Sequence, residues 1–230
     1  MRGLFVTGTD TGVGKTILTA ALTAAMLAEG ERVRPHKPVV TGLEEAPGAW
    51  PYDHVLLAGV AGMTPEEVSP RRYAPPVSPH LAAHLAGEQV DPGQLLAAAR
   101  AAAKPQQTLI VEGVGGLLVP LAESYTVREL AAELALPLLI AARAGLGTIN
   151  HTLLTLQVAR TAGLDVRAVV LTPWPPEASE LERSNRATIS RLGEVEVEVL
   201  SYVPDPSHAE LARAGAKLPW RRWLGEASTA

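Results

Sequence analysis

A short apolar run, Gly3–Thr7, leads directly into a glycine-rich loop that ends in Gly14, Lys15 and Thr16. Beyond the loop, apolar side chains recur at helical spacing over Ile17–Leu27. A loop of this composition between a strand and a helix points its backbone N–H groups at one place, beside the positive end of the helix. The pattern therefore predicts a phosphate-binding loop in an α/β domain.

The loop is one residue longer than the usual pattern, since Thr9 stands where the first glycine is expected and Gly8 precedes it. We expect the Lys15 ammonium to reach the β- and γ-phosphates of a nucleotide and the Thr16 hydroxyl to bind Mg²⁺. The alternative is a glycine-rich turn without function, which the Gly-Lys-Thr ending disfavours. The predicted phosphate ligands are Gly12, Val13, Gly14, Lys15 and Thr16.

Composition limits the classes of protein to which the chain can belong. Of its 230 residues, 47% are hydrophobic and 19% are charged, which suits one domain over residues 1–230 with a buried core. A net charge of −4 argues against a nucleic-acid partner, because a polyanion is not attracted to an acidic chain. The absence of cysteine from the sequence excludes disulfides, thiolate metal sites and a cysteine nucleophile.

Apolar runs alternate with helical patterns along the rest of the chain. Strands are predicted at Thr108–Val111, Leu136–Ala142 and Val166–Leu171. Helices are predicted at Leu95–Ala103, Val127–Leu134, Ile149–Ala162 and Ala178–Leu192. Strands that are apolar throughout and alternate with helices indicate a parallel sheet covered on both faces. We therefore predict an α/β fold of the P-loop NTPase type, with a mostly parallel central sheet and helices on both faces.

Two segments do not follow this alternation. The stretch from Glu44 to Gly93 is rich in proline and glycine, and we expect an irregular functional loop region there. The tail from Lys217 holds a Trp–Arg cluster, which either packs against the body of the protein or binds an anion.

The sequence lacks the pattern of a membrane span or of a secretion signal. Its longest apolar stretch, Leu134–Ala142, is short and is interrupted by Pro137. The apolar run at the N-terminus reaches a glycine within eight residues, which is too short for a signal peptide. We expect a soluble, cytoplasmic protein without a membrane partner.

Two carboxylates are candidates for completing a Mg²⁺ site beside the loop. Glu112 ends an apolar strand and precedes a glycine-rich segment, Gly113–Gly116, which we expect to be a flexible turn at the carboxyl edge of the sheet. A carboxylate there can hold Mg²⁺ directly or through water, and the alternative is a capping or solvated side chain. Asp53 is equally well explained as a metal ligand or as the cap of a helix that begins near it.

Lys37 lies at the end of a second predicted strand, in a chain with only four lysines among its 20 basic residues. A compact ammonium beside a γ-phosphate stabilises the negative charge that develops during phosphoryl transfer. The alternative is a solvated surface lysine. We predict that Lys37 is catalytic.

Taken together, the motifs resemble the dethiobiotin synthetase family. The family's order and spacing are kept by five segments, namely VTGTDTGVGKT, HKPVVTG, PPVSPHLAAHLAG, VEGVGGLLVPL and GLGTINHTLLTLQVARTAGL. These segments are spread over most of the chain, from residue 6 to residue 164, and their combination is far more specific than a phosphate-binding loop alone. The resemblance implies an ATP-dependent ligase of biotin biosynthesis, a homodimer that uses 7,8-diaminononanoate, CO₂ and MgATP, with the substrate near the subunit interface.

The reaction that this resemblance implies has two stages. An amine of the diamine takes up CO₂ as a carbamate, and a carbamate oxygen attacks the γ-phosphate of ATP. The neighbouring amine then attacks the carbamic–phosphoric anhydride, which closes the ring of dethiobiotin and leaves ADP and phosphate as products. Two anionic reactants must meet, so cations are the main requirement of the site.

The resemblance also implies roles for individual residues. The catalytic residues are Lys37, Lys15 and Thr11, and the residues around the metal are Thr16, Asp53 and Glu112. The predicted substrate contacts are Thr11, Lys37, Thr41, Gly115, Leu146, Gly147 and Asn150, of which the last three belong to a turn supplied by the partner subunit. The residues expected beside the base are Thr172, Pro173, Val203, Pro204 and Asp205.

Two departures from the family pattern bear on specificity. Many members have an asparagine that binds the adenine edge where this chain has Thr172 and Pro173, which weakens the expectation of a strict preference for ATP. In the helix that follows, a tyrosine often holds the substrate carboxylate, whereas Ser184 and Asn185 lie near that place here.

Two other classes of protein share parts of the pattern. Partitioning-type switch ATPases have the same strand, loop and helix, but carry a lysine where this chain has Asp10. The synthetase module of cobyrinate-type amidotransferases activates carboxylates with ATP, but usually continues into a glutaminase domain with a cysteine nucleophile. The sequence favours dethiobiotin synthetase over both.

Overall fold

The predicted parallel sheet is present in the computed structural model, which describes residues 1–225. The strands are β1 (Gly3–Gly8), β2 (Val33–His36), β3 (Thr108–Gly116), β4 (Pro120–Ala122), β5 (Tyr125–Thr126), β6 (Leu138–Ala142), β7 (Val166–Trp174) and β8 (Val197–Ser201). Six of them form one sheet in the order β2-β3-β1-β6-β7-β8, with every neighbouring pair parallel. β4 and β5 form a small antiparallel ribbon beside it.

Helices cover both faces of this sheet, as predicted. They are α1 (Lys15–Ala28), α2 (Asp53–Ala61), α3 (Pro65–Val68), α4 (Pro79–Leu85), α5 (Pro92–Ala102), α6 (Val127–Leu134), α7 (Thr148–Thr161), α8 (Glu180–Gly193), α9 (His208–Gly215) and α10 (Trp220–Trp223). Helices α1, α2 and α9 pack on one face, and α5, α6, α7 and α8 pack on the other. Within residues 1–225, the helices are all too short or too polar to cross a membrane.

The central strand β6 shows how the sheet divides the core into two halves. Leu138, Ile140 and Ala142 face the α5–α8 side, while Leu139 and Ala141 face the α1 side. All five side chains are fully buried, because alternate residues of a strand point to opposite faces and both faces are covered. The strand begins after Pro137, two residues later than the apolar run predicts.

Two strands continue farther than the sequence predicts. β3 runs to Gly116, so the prediction of a flexible turn over Gly113–Gly116 is wrong, and Glu112 lies inside the strand. Glycine is required here by close backbone approach rather than by a turn, since a Cβ on Gly116 would lie 3.2 Å from the Gly8 carbonyl oxygen. β7 runs to Trp174, so Thr172–Pro173 also lies within its strand and not after it.

The stretch from Glu44 to Gly93 is more regular than predicted, because α2, α3 and α4 form within it. Thr64 and Glu67 form a capping box at the start of α3, and Ser78 precedes the proline that begins α4. Asp53 is the first residue of α2 and Tyr52 is its N-cap, so Asp53 is not the cap of this helix. The remaining predicted helices agree with the structure to within three residues at each end.

The C-terminal part of the fold contains elements that the sequence analysis missed. β8 is an edge strand in which Glu198 interrupts the apolar residues, so it lacks the continuous apolar run of the inner strands. Trp220 and Trp223 are buried, and Trp223 Nε1 donates a hydrogen bond to Glu196 at 3.0 Å, so this cluster packs against the body. The rest of the tail, residues 226–230, lies outside the described residues, and one domain over residues 1–230 stays a prediction.

The contact between α1 and α9 gives a test of the packing. A Cβ on Gly215 would collide with the Ala21 carbonyl oxygen of α1, a backbone atom that cannot turn aside. We expect Gly215→Ala to lower the free energy of unfolding by roughly 1–3 kcal/mol, the usual cost of overpacking. The measurement is urea unfolding followed by circular dichroism.

The matched control is Gly59→Ala, which changes an exposed glycine in α2 whose Cβ would meet nothing within 4 Å. This substitution should raise the free energy of unfolding by roughly 0.5–1 kcal/mol, because alanine loses less backbone entropy in a helix. Equal effects of the two substitutions would contradict the packing described here.

Candidate active site

The loops after β1 and β2 meet the end of β3 at one edge of the sheet. In the strand order, β3 lies between β2 and β1, and all three strands point the same way. Their carboxyl ends therefore bring together the glycine-rich loop, Lys37 and Glu112. A cavity of about 700 Å³ lies there, and its lining includes Thr11, Gly12, Gly14, Lys15, Thr16, Lys37, Thr41, Asp53 and Gly115.

The glycine-rich loop turns sharply before α1. Gly12 and Gly14 have φ angles of 68° and 93°, in the left-handed region that favours glycine, and Val13 between them is buried. α1 begins at Lys15, and within residues 1–225 its N-terminus receives no hydrogen bond from a capping side chain. Its first backbone N–H groups are therefore available to an anion, as the phosphate-binding prediction requires.

Lys15 folds back over this loop. Its Nζ donates a hydrogen bond to the Asp10 carbonyl oxygen at 2.9 Å. Burial, followed by the nearby Lys37 ammonium, lowers the pKa of Lys15 to about 8. Phosphate charge at the loop would favour the ammonium form and raise this pKa again.

Lys37 lies between two carboxylates. Its Nζ is 2.6 Å from Asp53 Oδ2 and 2.5 Å from Glu112 Oε1, and Thr16 Oγ1 donates to the same Glu112 oxygen at 2.8 Å. Lys37 is 3% exposed and Glu112 is fully buried. The alternatives of a solvated lysine and of a solvated or capping glutamate are therefore wrong.

The pKa values of this cluster follow from the same contacts. Burial alone disfavours the Lys37 ammonium, but the Asp53 and Glu112 carboxylates outweigh burial and hold the pKa of Lys37 above its usual value. Burial likewise disfavours the Asp53 carboxylate, and Lys37 outweighs it and holds the pKa of Asp53 below its usual value. Both groups are therefore charged at neutral pH.

The predicted substrate residues fall into two separate groups. Thr11, Thr41 and Gly115 line the cavity beside Lys37. Gly115 has a φ of 59°, and its Cβ position lies 3.4 Å from Thr11 Oγ1, so a side chain there would crowd the Thr11 hydroxyl. These residues lie where a substrate amine or carbamate could approach the phosphate loop.

Leu146, Gly147 and Asn150 lie elsewhere, at the start of α7, and do not line this cavity. Leu146 is 92% exposed, which is unusual for a leucine, and Asn150 is also exposed. Gly147 has a φ of 87° and precedes α7, whose N-terminus receives no hydrogen bond from a capping side chain among the described residues. One chain alone therefore does not bring this turn to the phosphate loop.

Asn185 holds the same turn from behind. It is buried in α8, and its Nδ2 donates to the Ala144 carbonyl at 2.9 Å and to the Gly145 carbonyl at 3.1 Å. Its neighbour Ser184 is exposed. The family resemblance led us to expect Asn185 near the substrate tail. The sequence alone could not show that its amide donates to two backbone carbonyls, because these carbonyls come close only in the folded turn.

The residues expected beside the base differ in exposure. Thr172 is 2% exposed, and its Cγ2 lies 2.8 Å from the Cβ position of Gly14, so its side chain packs against the phosphate loop. Pro173 is exposed, Val203 is buried, and Pro204 is exposed. The Asp205 carboxylate accepts a hydrogen bond from the Ser207 backbone N–H at 2.9 Å, so this side chain stabilises the turn before α9.

The structure adds three residues that the sequence analysis did not single out. Arg143 follows β6 directly, and its Nη2 lies 3.4 Å from the Thr11 carbonyl oxygen. Arg143 comes immediately after a predicted strand, as Glu112 does, so the same criterion applied to the sequence would have singled out Arg143. Trp50 and Ser78 also line the cavity; Ser78 belongs to the segment PPVSPHLAAHLAG, to which the sequence analysis assigned no residue role, and Trp50 lies outside the recognised segments.

Comparison with known proteins agrees with this geometry. A family model described as "AAA domain" matches residues 2–210. The ATP-dependent dethiobiotin synthetase BioD of Anaeromyxobacter dehalogenans (strain 2CP-1) is 42% identical over 226 residues, which are 95% of this chain and 99% of that protein. The protein of the same description from Mycobacterium sp. (strain JLS) is 38% identical over 97% of this chain and 98% of its own length.

Solved structures support the fold. The ATP complex of a Cyanothece McdA variant has a TM-score of 0.52 at 13% identity, over 100% of this chain and 98% of that one. Chloroplast FtsY from Physcomitrella patens has a TM-score of 0.53 at 15% identity, over 93% of this chain and 65% of that one. The α/β P-loop NTPase fold predicted from the sequence is thus confirmed, and the relatives assign the chain more narrowly, because their identity extends over nearly its whole length. The chain belongs to the dethiobiotin synthetase family.

Proposed function

We propose that this protein uses ATP to carboxylate 7,8-diaminononanoate with CO₂ and to close the ring of dethiobiotin. The observation that supports this best is a cavity lined by the phosphate-binding loop, two buried lysines and Asp53, with the buried Glu112 carboxylate in contact with Lys37. The names of the relatives favour this function over a switch ATPase or a carboxylate-activating amidotransferase module.

The residues of the cluster fit a magnesium ion. The Thr16 hydroxyl and the Asp53 and Glu112 carboxylates are hard oxygen donors, and Glu112 Oε2 is buried without a hydrogen-bond partner among residues 1–225. Within the same residues, no three His, Cys, Asp or Glu side chains converge. Two carboxylates with substrate phosphates are a usual Mg²⁺ environment, and the ion would neutralise phosphate charge during transfer.

The two lysines supply the remaining positive charge. Lys15 lies beside the loop that would hold the β- and γ-phosphates, and Lys37 lines the same cavity. We assign Lys37 to the γ-phosphate and to the attacking carbamate oxygen, because a fixed ammonium between two anions lowers their repulsion. Thr11 and Thr41, which line the same cavity, would orient the amine that carries the carbamate.

The turn at the start of α7 would serve the partner subunit. Leu146, Gly147 and Asn150 are exposed on this chain and lie outside its own cavity. The uncapped N-terminus of α7 offers backbone N–H groups to a carboxylate. A homodimer in which this turn meets the substrate's carboxylate tail accounts for both properties.

The direct test is phosphate release from MgATP in the presence of bicarbonate and diaminononanoate, with the product identified by mass. We expect release to require both co-substrates. Lys37→Ala should lower kcat by roughly 10²–10³, as removal of one transition-state donor does, while MgATP still binds within a few-fold.

The matched control for this experiment is Lys104→Ala, which removes an exposed lysine outside the cavity and should leave kcat unchanged. Phosphate release that is indifferent to the diamine would contradict the proposed reaction. A Lys37→Ala enzyme within threefold of wild type would remove Lys37 from the mechanism.

Asn185→Asp tests whether the α7 turn binds substrate. The carboxylate is close in shape but cannot donate to the carbonyls of Ala144 and Gly145, which leaves both without this partner. We expect KM for the diamine to rise roughly tenfold, in line with ~1–3 kcal/mol for such a loss, with KM for ATP unchanged. Ser184→Ala, at the exposed neighbouring position, is the control; equal kinetics for a folded Asn185→Asp would be the contrary result.

Nucleotide selectivity tests the base site. The Thr172 side chain is buried against the phosphate loop and Pro173 has no N–H, so neither offers the paired donor and acceptor that adenine requires. We expect GTP and CTP to support the reaction within roughly tenfold of ATP, because a bidentate base contact is worth ~1–3 kcal/mol. The measurement is kcat/KM for the three nucleotides, and a preference for ATP above a hundredfold would show that other groups bind adenine.

A further inference from the structure

In the cluster around Lys37, the lysine contacts the same carboxylate oxygens that a metal ion would use. Glu112 Oε1 is 2.5 Å from Lys37 Nζ and also accepts the Thr16 hydroxyl at 2.8 Å, while Asp53 Oδ2 is 2.6 Å from the same Nζ. One ammonium thus bridges the two carboxylates assigned to Mg²⁺, and the only oxygen of Glu112 without a partner among residues 1–225 is Oε2.

The charges of the cluster balance as it stands. Lys37 and Lys15 offset the carboxylates of Asp53 and Glu112, and three of these four residues are buried. Burial makes each charge depend on its partner, because an unpaired charge away from water is costly. A divalent cation added to this cluster would bring two positive charges that the existing groups do not offset.

Mg²⁺ coordinates carboxylate oxygen at about 2.0–2.1 Å, so an ion on Glu112 Oε1, the oxygen that Lys37 contacts, would lie within about 5 Å of the Lys37 ammonium if the lysine stayed in place. Like charges that close in a buried site repel strongly. A triphosphate changes the balance, since its oxygens offer anionic ligands to both the ion and the lysine within the same cavity. Lys37 lines that cavity and can therefore turn from the carboxylates toward the phosphates.

We propose that Lys37 competes with Mg²⁺ for the carboxylates of Asp53 and Glu112, so that the pair takes up the ion only together with the nucleotide. Lys37 is then a counter-ion that stabilises the acidic pair before the nucleotide binds and is transferred to the phosphates when it does. This role rests on the proposed metal site, but it is separate from the part that Lys37 plays in the chemical step.

The experiment measures Mg²⁺ binding by calorimetry, with and without a non-hydrolysable ATP analogue, and the melting temperature in EDTA and in Mg²⁺. The variants are Lys37→Met, which removes the ammonium but keeps an unbranched side chain only one heavy atom shorter, and Lys37→Gln in case the first does not fold. Lys104→Met is the control, because Lys104 is exposed and outside the cavity.

We expect the wild type to bind Mg²⁺ weakly without nucleotide and much more tightly with it. Lys37→Met should bind Mg²⁺ alone roughly tenfold or more tightly than wild type, within the usual range of coupling between linked sites. Its melting temperature should fall in EDTA and recover in Mg²⁺, and adding Glu112→Gln should remove the extra Mg²⁺ affinity. The Lys104→Met protein should behave as wild type throughout.

Two results would overturn the proposal, and they differ in what else they affect. If Lys37→Met and Lys37→Gln bind Mg²⁺ alone no more tightly than wild type, while nucleotide still brings Mg²⁺ to the wild-type site, competition is wrong and the proposed metal site stands. If Asp53→Asn and Glu112→Gln leave Mg²⁺ binding in the presence of the analogue unchanged, the assignment of these carboxylates as metal ligands is wrong. The proposal that Lys37 competes with Mg²⁺ for them is then wrong as well.

Discussion

The contacts of Lys37 with Asp53 and Glu112 tie together three distant parts of the chain. Lys37 follows β2, Glu112 lies inside β3, and Asp53 begins α2, which packs against α1. A buried charge is tolerated only when it is paired. Replacing one of the three residues by a neutral one therefore leaves an unpaired charge in its partners, which destabilises the fold. The same contacts therefore fix both the geometry of the candidate site and the position of the start of α2 beside it.

This arrangement also explains why the cavity suits an anion. Lys15 and Lys37 lie close enough that Lys37 contributes to the lowered pKa of Lys15, after burial. A triphosphate would relieve that repulsion and satisfy the uncapped N–H groups of α1 at the same time. The repulsion between the two lysines in the free protein is thus replaced by attraction to phosphate once a triphosphate binds. A site that joins two negatively charged reactants needs such positive charge.

The parts of the fold that sequence predicts are those set by local pattern. The loop before α1 and the inner strands follow from glycine spacing and continuous apolar runs, and parallel strands then put Lys37 and Glu112 on one edge. Local sequence pattern does not predict the structure correctly where contacts with residues distant in the sequence determine the conformation. The glycines at the end of β3 resemble a turn until the approach of β1 is known. Spacing leaves Asp53 open between a helix cap and a metal ligand, and its contact with Lys37, across the fold, sets its orientation. The apolar residues of the edge strand β8 are interrupted by Glu198, so a search for continuous apolar runs did not find this strand.

The two anion-binding turns proposed for this protein share one construction. α1 and α7 each follow a glycine with a left-handed φ, Gly14 and Gly147, and among the described residues neither helix has a side-chain cap. A capping side chain would use the N–H groups that the ligand needs, so the helix end must be held from elsewhere. Thr172 packs behind Gly14, and Asn185 holds the carbonyls that precede Gly147. Both residues stand where the family pattern led us to expect ligand contacts, and in this chain they support the backbone to which we assign those contacts. Under the proposed function, such departures would move recognition from side chains to backbone N–H groups, which suits phosphate and carboxylate oxygens.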